Sequence, residues 1–293
     1  LEDHISIVIS PTTDRTRRKW ATALLAFLMN DRRGGRAIAD VAVEALPGAT
    51  ESLPVALVRR VVEDLVPALS PATNPEGLST HHQELEVALR CLIFIGEYQE
   101  TLAPVLRWGL TEVLLKLVRD RLAQSPRTEN EELGLDFAAL ELCSRLLPHK
   151  AFASKFVANG GMELLLEVAP TKRRYDYLQA SMAWCLSGVA ALATVMERVL
   201  RTMPDAPRRL ADFGLQLMSA DQDITRKNAL HFFGSALAFP VFLSAFDERD
   251  GAARLLDLLS APVSTQRSIS VVNVVKHTAS ALRQYFRAHV AVM

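Results

Sequence analysis

The stretch from 149 to 169, HKAFASKFVANGGMELLLEVA, limits what the chain can fold into more than any other. Phe152, Phe156 and Val157 belong to a short helix, Asn159-Gly160-Gly161 interrupts it, and Leu164, Leu165, Leu166 and Val168 belong to a second helix. Asn and Gly tolerate positive φ, so the first helix stops there and the second leaves at a steep angle. Two short helices joined in this way cannot cover their own apolar faces. They need neighbours of the same design, which is the logic of a helical repeat.

Neighbours of that design are present. Corners are expected at Gly109, Gly161, Ala206 and Gly251, spaced by 52, 45 and 45 residues, each followed four or five residues on by Leu. Armadillo and HEAT units run to roughly 40–47 residues. A longer apolar helix is expected before each corner, over 84–98, 136–147, 179–193 and 224–239, and a fifth over 268–289 follows the last. Leu, Ala and Val dominate and aromatics are only 6%, a composition that favours helix over sheet. The fold expected is an all-α, armadillo- or HEAT-like right-handed superhelix forming one domain over 1–293, with 1–80 a divergent N-terminal cap and 81–293 four to five repeats.

In the first 80 residues, Ile5 to Ile9 could form a helical turn or an extended arm. The helix RTRRKWATALLAFLMN is expected to place Trp20, Leu24, Phe27 and Leu28 on one face. Gly34-Gly35 ends it, and helices over 36–46 and 53–69 follow, the latter with Pro54 in its first turn. Further on, Thr80 and Gln83 have the spacing of a capping box, and Asp136 is placed to cap its helix. Loops are expected at 70–80, 123–133, 170–177 and 205–209.

The chemistry-bearing patterns are sparse. Asp212-Phe213-Gly214 matches a kinase magnesium motif, yet the Gly-rich loop, His-Arg-Asp and Ala-Pro-Glu strings that a kinase needs do not occur. In a Leu-rich helix Phe213 is expected to pack instead. The histidines are scattered, and His81-His82, being adjacent, face different ways, so no metal or other cofactor is expected. Cys91, Cys143 and Cys185 each sit mid-helix, as reduced core residues do. Equal counts of Lys+Arg and Asp+Glu, 33 each, argue against a nucleic-acid partner. No run approaches the ~18 apolar residues of a membrane span, and the chain reads as a piece of a longer soluble protein.

That leaves protein partners. Trp108, beside a corner, is weighed as an interface anchor against packing on the helix at 84–98. Lys172, Arg173 and Arg174 are candidate protein-binding residues, and RTRRK (15–19) and DRRGGR (31–36) are further basic clusters, all weighed against plain solvated surface. The three Trp residues are followed four on by Leu24, Glu112 and Gly188, so the Trp-Asn ladder of import-type peptide readers is missing.

At His149–Val168, with its F-V-x-x-G-G corner, at MERVL (196–200), and at Lys276–Val290, with K-H-T-x-x-A-L-x-x-Y-F-x-A-H, the chain resembles the armadillo-like N-terminal region of the Vpr-binding protein family. The resemblance implies a non-catalytic scaffold within a substrate receptor of a cullin-4 RING ubiquitin ligase, working in nucleus and cytoplasm with ligase subunits or substrates as partners. It also implies LisH and Trp-Asp-rich propeller segments elsewhere in the full protein. No Trp-Asp dipeptide occurs here, so adaptor docking lies outside this chain and no functional residue is carried over. A generic armadillo adaptor, or a kinase built on Asp212, is the alternative, and self-association stays open. If the corner assignment holds, Gly161→Val lowers the melting temperature.

Overall fold

The structure is a computed structural model that describes residues 1–69, 78–123, 134–167, 178–260 and 269–292, and among these every regular element is helical. The helices run α1 (Glu2–Ile9), α2 (Arg15–Met29), α3 (Gly35–Val43), α4 (Leu53–Arg60), α5 (Leu78–Ile95), α6 (Gln99–Arg107), α7 (Leu110–Ala123), α8 (Leu135–Leu146) and α9 (Lys150–Ala158). They continue as α10 (Gly161–Glu167), α11 (Gln179–Ala190), α12 (Ala193–Thr202), α13 (Ala206–Met218), α14 (Asp223–Ala236), α15 (Pro240–Asp247), α16 (Gly251–Ser260) and α17 (Ile269–Val292). From α6 onward a three-helix unit recurs: a short helix, a corner, a middle helix and a long one. Two compact units divide the chain, Leu1–Phe152 and Ala153–Met293.

Each corner turns on one left-handed residue: Gly109 (φ 69°), Gly160 (φ 78°), Asp205 (φ 52°) and Asp250 (φ 53°). Glycine carries no Cβ to clash there, and Asp is among the few other residues that tolerate the region. These positions are 51, 45 and 45 residues apart. The expected register was therefore one residue out at Gly109, whose neighbour Leu110, not Gly109 itself, matches Gly161, Ala206 and Gly251. In the corrected register Leu114, Leu165, Leu210 and Leu255 are equivalent, each on the first turn and a half of its middle helix and each fully buried.

Gly161 is required for space rather than for φ. A Cβ there would meet the ring of Phe156 at 2.6 Å, and one at Gly251 would meet the ring of Phe246 at 2.4 Å. Phe precedes Gly by five residues in both, so ring and glycine form one unit of packing at the corner. Where the earlier residue is Val105 instead of Phe, Leu110 takes the glycine's place.

In the first unit α2 packs on α5 and α5 on α8; in the second, α11 packs on α14 and α14 on α17. The opening block is tied together through the buried Glu84 of α5, whose carboxylate accepts from Arg15 of α2 at 2.5 Å and from Arg60 of α4 at 3.0 Å. Burial holds the Arg60 guanidinium below its ordinary pKa, with the Glu84 charge opposing that.

Several local expectations change. Of the two forms open for Ile5 to Ile9 the chain takes the helix, over Glu2–Ile9. On α2 the buried set is Ala21, Thr22, Leu25, Ala26 and Met29, whereas Trp20 and Phe27 are 68% and 73% exposed. The smaller side chains let α1 and α5 close in, and the bulky ones are left outside. The helix expected over 53–69 ends its α-helical part at Arg60 and continues as a π-turn over Val61–Leu65. Thr80 lies inside α5, which already begins at Leu78, and Gln83 accepts from Lys19 Nζ at 2.7 Å instead of closing a capping box. Gly134 caps α8 and Asp136 is its buried second residue. Residues 205–209 are a corner and the first turn of α13, not a loop. Of the loops expected at 70–80 and 123–133, residues 78–80 belong to α5 and Ala123 to α7, while the rest, with 170–177, lies outside the described residues.

Gly161→Ala is expected to destabilise the chain by about 1–3 kcal/mol through overpacking against Phe156. In a Phe156→Leu background the same change costs less, so thermal unfolding of the four variants gives a non-zero coupling energy. Strictly additive melting shifts would show that the ring and the glycine do not constrain each other.

Candidate protein-docking groove

Two long helices of the first unit, α5 and α8, each present a row of charged and aromatic side chains. On α5, Glu86, Arg90 and Phe94 follow one another at helical spacing, and on α8 so do Phe137, Glu141 and Arg145. The pairs Glu86/Phe137, Arg90/Glu141 and Phe94/Arg145 are 51 residues apart, the offset that also separates the corners at 109 and 160. Equivalent positions in adjacent layers thus share one surface. Together with Ala23, Ala26 and Phe27 of α2 and Asn30 just after it they line a cavity of about 530 Å³. A second cavity of about 340 Å³ shares Ile93, Phe94 and Arg145 with it and reaches Arg36 and Tyr98.

Charge in the groove is unevenly paired. Arg90 bonds Glu86 at 2.6 Å and Arg145 bonds Glu97 at 2.8 Å. Glu141 forms no ion pair among the described residues. Burial holds its carboxyl above the ordinary carboxylate range, while Arg145 and Arg90 act in the opposite direction. At the far end the Tyr98 hydroxyl donates to Asp40 at 2.6 Å, and burial together with that bond pushes its pKa up to about 12. Half-buried Phe94 and Phe137 and exposed Phe27 give the groove its apolar walls.

The residues singled out from sequence lie elsewhere. Trp108 is half-buried; its indole N–H donates to Glu63 at 3.0 Å and the Arg107 guanidinium lies 4.8 Å from the ring centre. Lys172, Arg173 and Arg174 lie outside the described residues. Much of the RTRRK cluster serves as internal ties: Arg15 to Glu84, Lys19 to Gln83, and Arg18 to the carbonyls of Ser10 and Thr13, both at 2.8 Å. Phe213 is buried, and both carboxylate oxygens of Asp212 accept from Arg249, one of them at 2.9 Å. His149 bonds the Gly96 carbonyl at 3.1 Å, closing the end of α5. No cluster of three metal-ligating side chains exists among the described residues. Nor is any single helix among them long and apolar enough to cross a membrane.

Sequence reading passed over Phe94, Phe137, Arg90, Glu141 and Arg145, and it assigned Phe27 to the packing face of its helix. The signal that finds them is the 51-residue offset; with 52, Arg90 pairs with Leu142, a core residue, and the row vanishes.

An all-α armadillo-like helical repeat is the class this architecture defines. A designed armadillo repeat protein solved in complex with the peptide (KR)4 superposes with a TM-score of 0.61 at 13% identity, covering 97% of this chain and 99% of that one. Residues 75–203 match the sequence model of the Mahjong helical domain. The DDB1- and CUL4-associated factor homolog 1 of Arabidopsis thaliana is 30% identical over 245 residues, 80% of this chain and 13% of that protein. Protein mahjong of Drosophila melanogaster is 24% identical over 216 residues, 69% of this chain and 13% of that protein. The chain is a relative of these proteins, the Vpr-binding protein family, and spans about an eighth of the length of the curated relatives it matches.

Two ion pairs that differ in burial test the energetics. Glu84→Gln leaves Arg60 buried beside a neutral partner and is expected to cost about 3–5 kcal/mol. Asp212→Asn removes an exposed pair and costs no more than about 1 kcal/mol. Denaturant titration of both variants checks the ranking, and equal losses would contradict it.

Proposed function

We propose that this chain is a non-catalytic helical-repeat scaffold within a substrate receptor of a cullin-4 RING ubiquitin ligase. In this reading it holds ligase subunits or substrates in nucleus and cytoplasm. The Arabidopsis relative supports the ligase assignment, since its name ties that protein to CUL4 and DDB1. The groove across α2, α5 and α8 supports a binding role. It combines an exposed Phe27, two further aromatic walls and a desolvated carboxylate, features of a surface built for a partner rather than for water.

The work such a domain performs is positional. A segment of a partner protein lies across the three long helices, and the rigid layers beneath hold it within reach of the ubiquitin-transferring machinery. Asp212, engaged by Arg249, takes a structural part in this reading and no part in phosphoryl transfer.

Affinity capture with the wild-type chain, a Phe27→Ala/Phe94→Ala variant and the longer protein tests the proposal. The wild-type chain is expected to recover cullin-4 ligase subunits or ubiquitinated substrates, and the groove variant to lose them while its helical melting curve is retained. If the longer protein recovers these partners and the isolated chain does not, the scaffold reading fails. If the groove variant recovers them undiminished, the surface lies elsewhere.

A further inference from the structure

We infer that the α5–α8 groove selects a partner segment by a cationic side chain, lysine or arginine, whose charge is received by Glu141 in the cavity it shares with Phe94. The inference deepens the docking reading above and rests on it.

Glu141 differs from the other carboxylates around it. Glu86 and Glu97 each hold an arginine, at 2.6 and 2.8 Å, and those two arginines are thereby committed. Glu141 faces into the cavity with no ion pair among the described residues. Its proton affinity is raised because burial strips water from the carboxylate without a full replacement. A carboxylate left in that condition gains most from a cation that arrives with its own hydrogen bonds. Charges lining this cavity are Glu86, Arg90, Glu141 and Arg145, and the α2 residues add none. With Arg36 and Glu97 of the adjoining cavity the local count is three carboxylates against three guanidiniums, and among those carboxylates Glu141 is the one without an ion pair among the described residues. Phe94 lines the same cavity, and the face of an aromatic ring complements a cation.

Dimensions fix the rest of the ligand. Packed helices lie about 8–10 Å apart, so crossing from α2 to α8 takes about 16–20 Å. An extended chain rises about 3.3 Å per residue, which makes that five or six residues. Phe27 lies at the α2 side and Glu141 at the α8 side. The segment therefore carries an apolar side chain roughly four or five residues from its lysine or arginine, in either direction.

Fluorescence anisotropy with labelled eight-residue probes tests this on the intact chain. Each probe bears one leucine near one end and, five residues away, lysine, norleucine or glutamate in an otherwise Gly/Ser background. The lysine probe is expected to bind at least tenfold tighter than either other probe. Glu141→Gln should bring lysine and norleucine within about twofold, and Glu141→Lys should favour the glutamate probe. Both variants are checked for an unchanged melting curve, and Phe27→Ala weakens all three probes alike. Equal binding of lysine and norleucine probes, or a lysine preference that survives Glu141→Gln, overturns the cation selectivity and leaves groove docking standing. Absence of binding by every probe also overturns it. The Phe27-dependent capture of ligase partners then decides separately whether the groove docks proteins at all.

Discussion

One left-handed residue between a short and a middle helix governs this chain. It lets two helices meet at a steep angle with no intervening loop, so the middle helix starts against the end of the short one. At two corners the first residue of the middle helix then has a phenyl ring directly above it. These are Gly161 under Phe156 and Gly251 under Phe246, whereas Leu110 follows Val105 and Ala206 follows Arg201 by the same five residues. With the corner set, the leucine four residues into each middle helix points inward. Each long helix that follows then has an apolar bed on which to lie, and its opposite side is free to carry function.

The first unit shows how cations are divided between holding the fold and meeting a partner. Arg15, Arg18, Lys19 and Arg60 are all consumed within the opening block, two of them by the buried Glu84. A buried carboxylate so clamped adds little net stability over an apolar packing, but it penalises any arrangement that separates α2, α4 and α5. The groove carries the reverse arrangement: Glu141 is buried enough to be desolvated and is not clamped.

Repetition, helix content and the family resemblance were legible in the sequence because they rest on spacing: apolar runs at 3.6 periodicity, glycine at corners, leucine four residues later. What escaped was direction. On α2 the sets Trp20/Leu24/Phe27 and Ala21/Leu25/Met29 are both helical stripes, and bulk suggested the wrong one. Only the close approach of α1 and α5 selects the small residues. The groove escaped for a related reason. Arg90, Glu141 and Arg145 look like any solvated charges until the layers are in register, and a one-residue error at Gly109 set Arg90 against a core leucine. Asp136 and Thr80 were read as caps because their local chemistry fits, but the helices begin where packing, not the cap, decides.

Cys91, Cys143 and Cys185 give the molecule a built-in clock. All three are fully buried in long helices, two in the first unit and one in the second. Burial pushes the Cys91 thiol up to about 12 and that of Cys143 higher still, so neither carries appreciable thiolate while folded. An alkylating reagent can reach them only when the helix around each one opens. The rate at which each acquires its label therefore measures the opening of its own layer, and a difference between Cys185 and the other two would report that the two halves of the chain breathe independently.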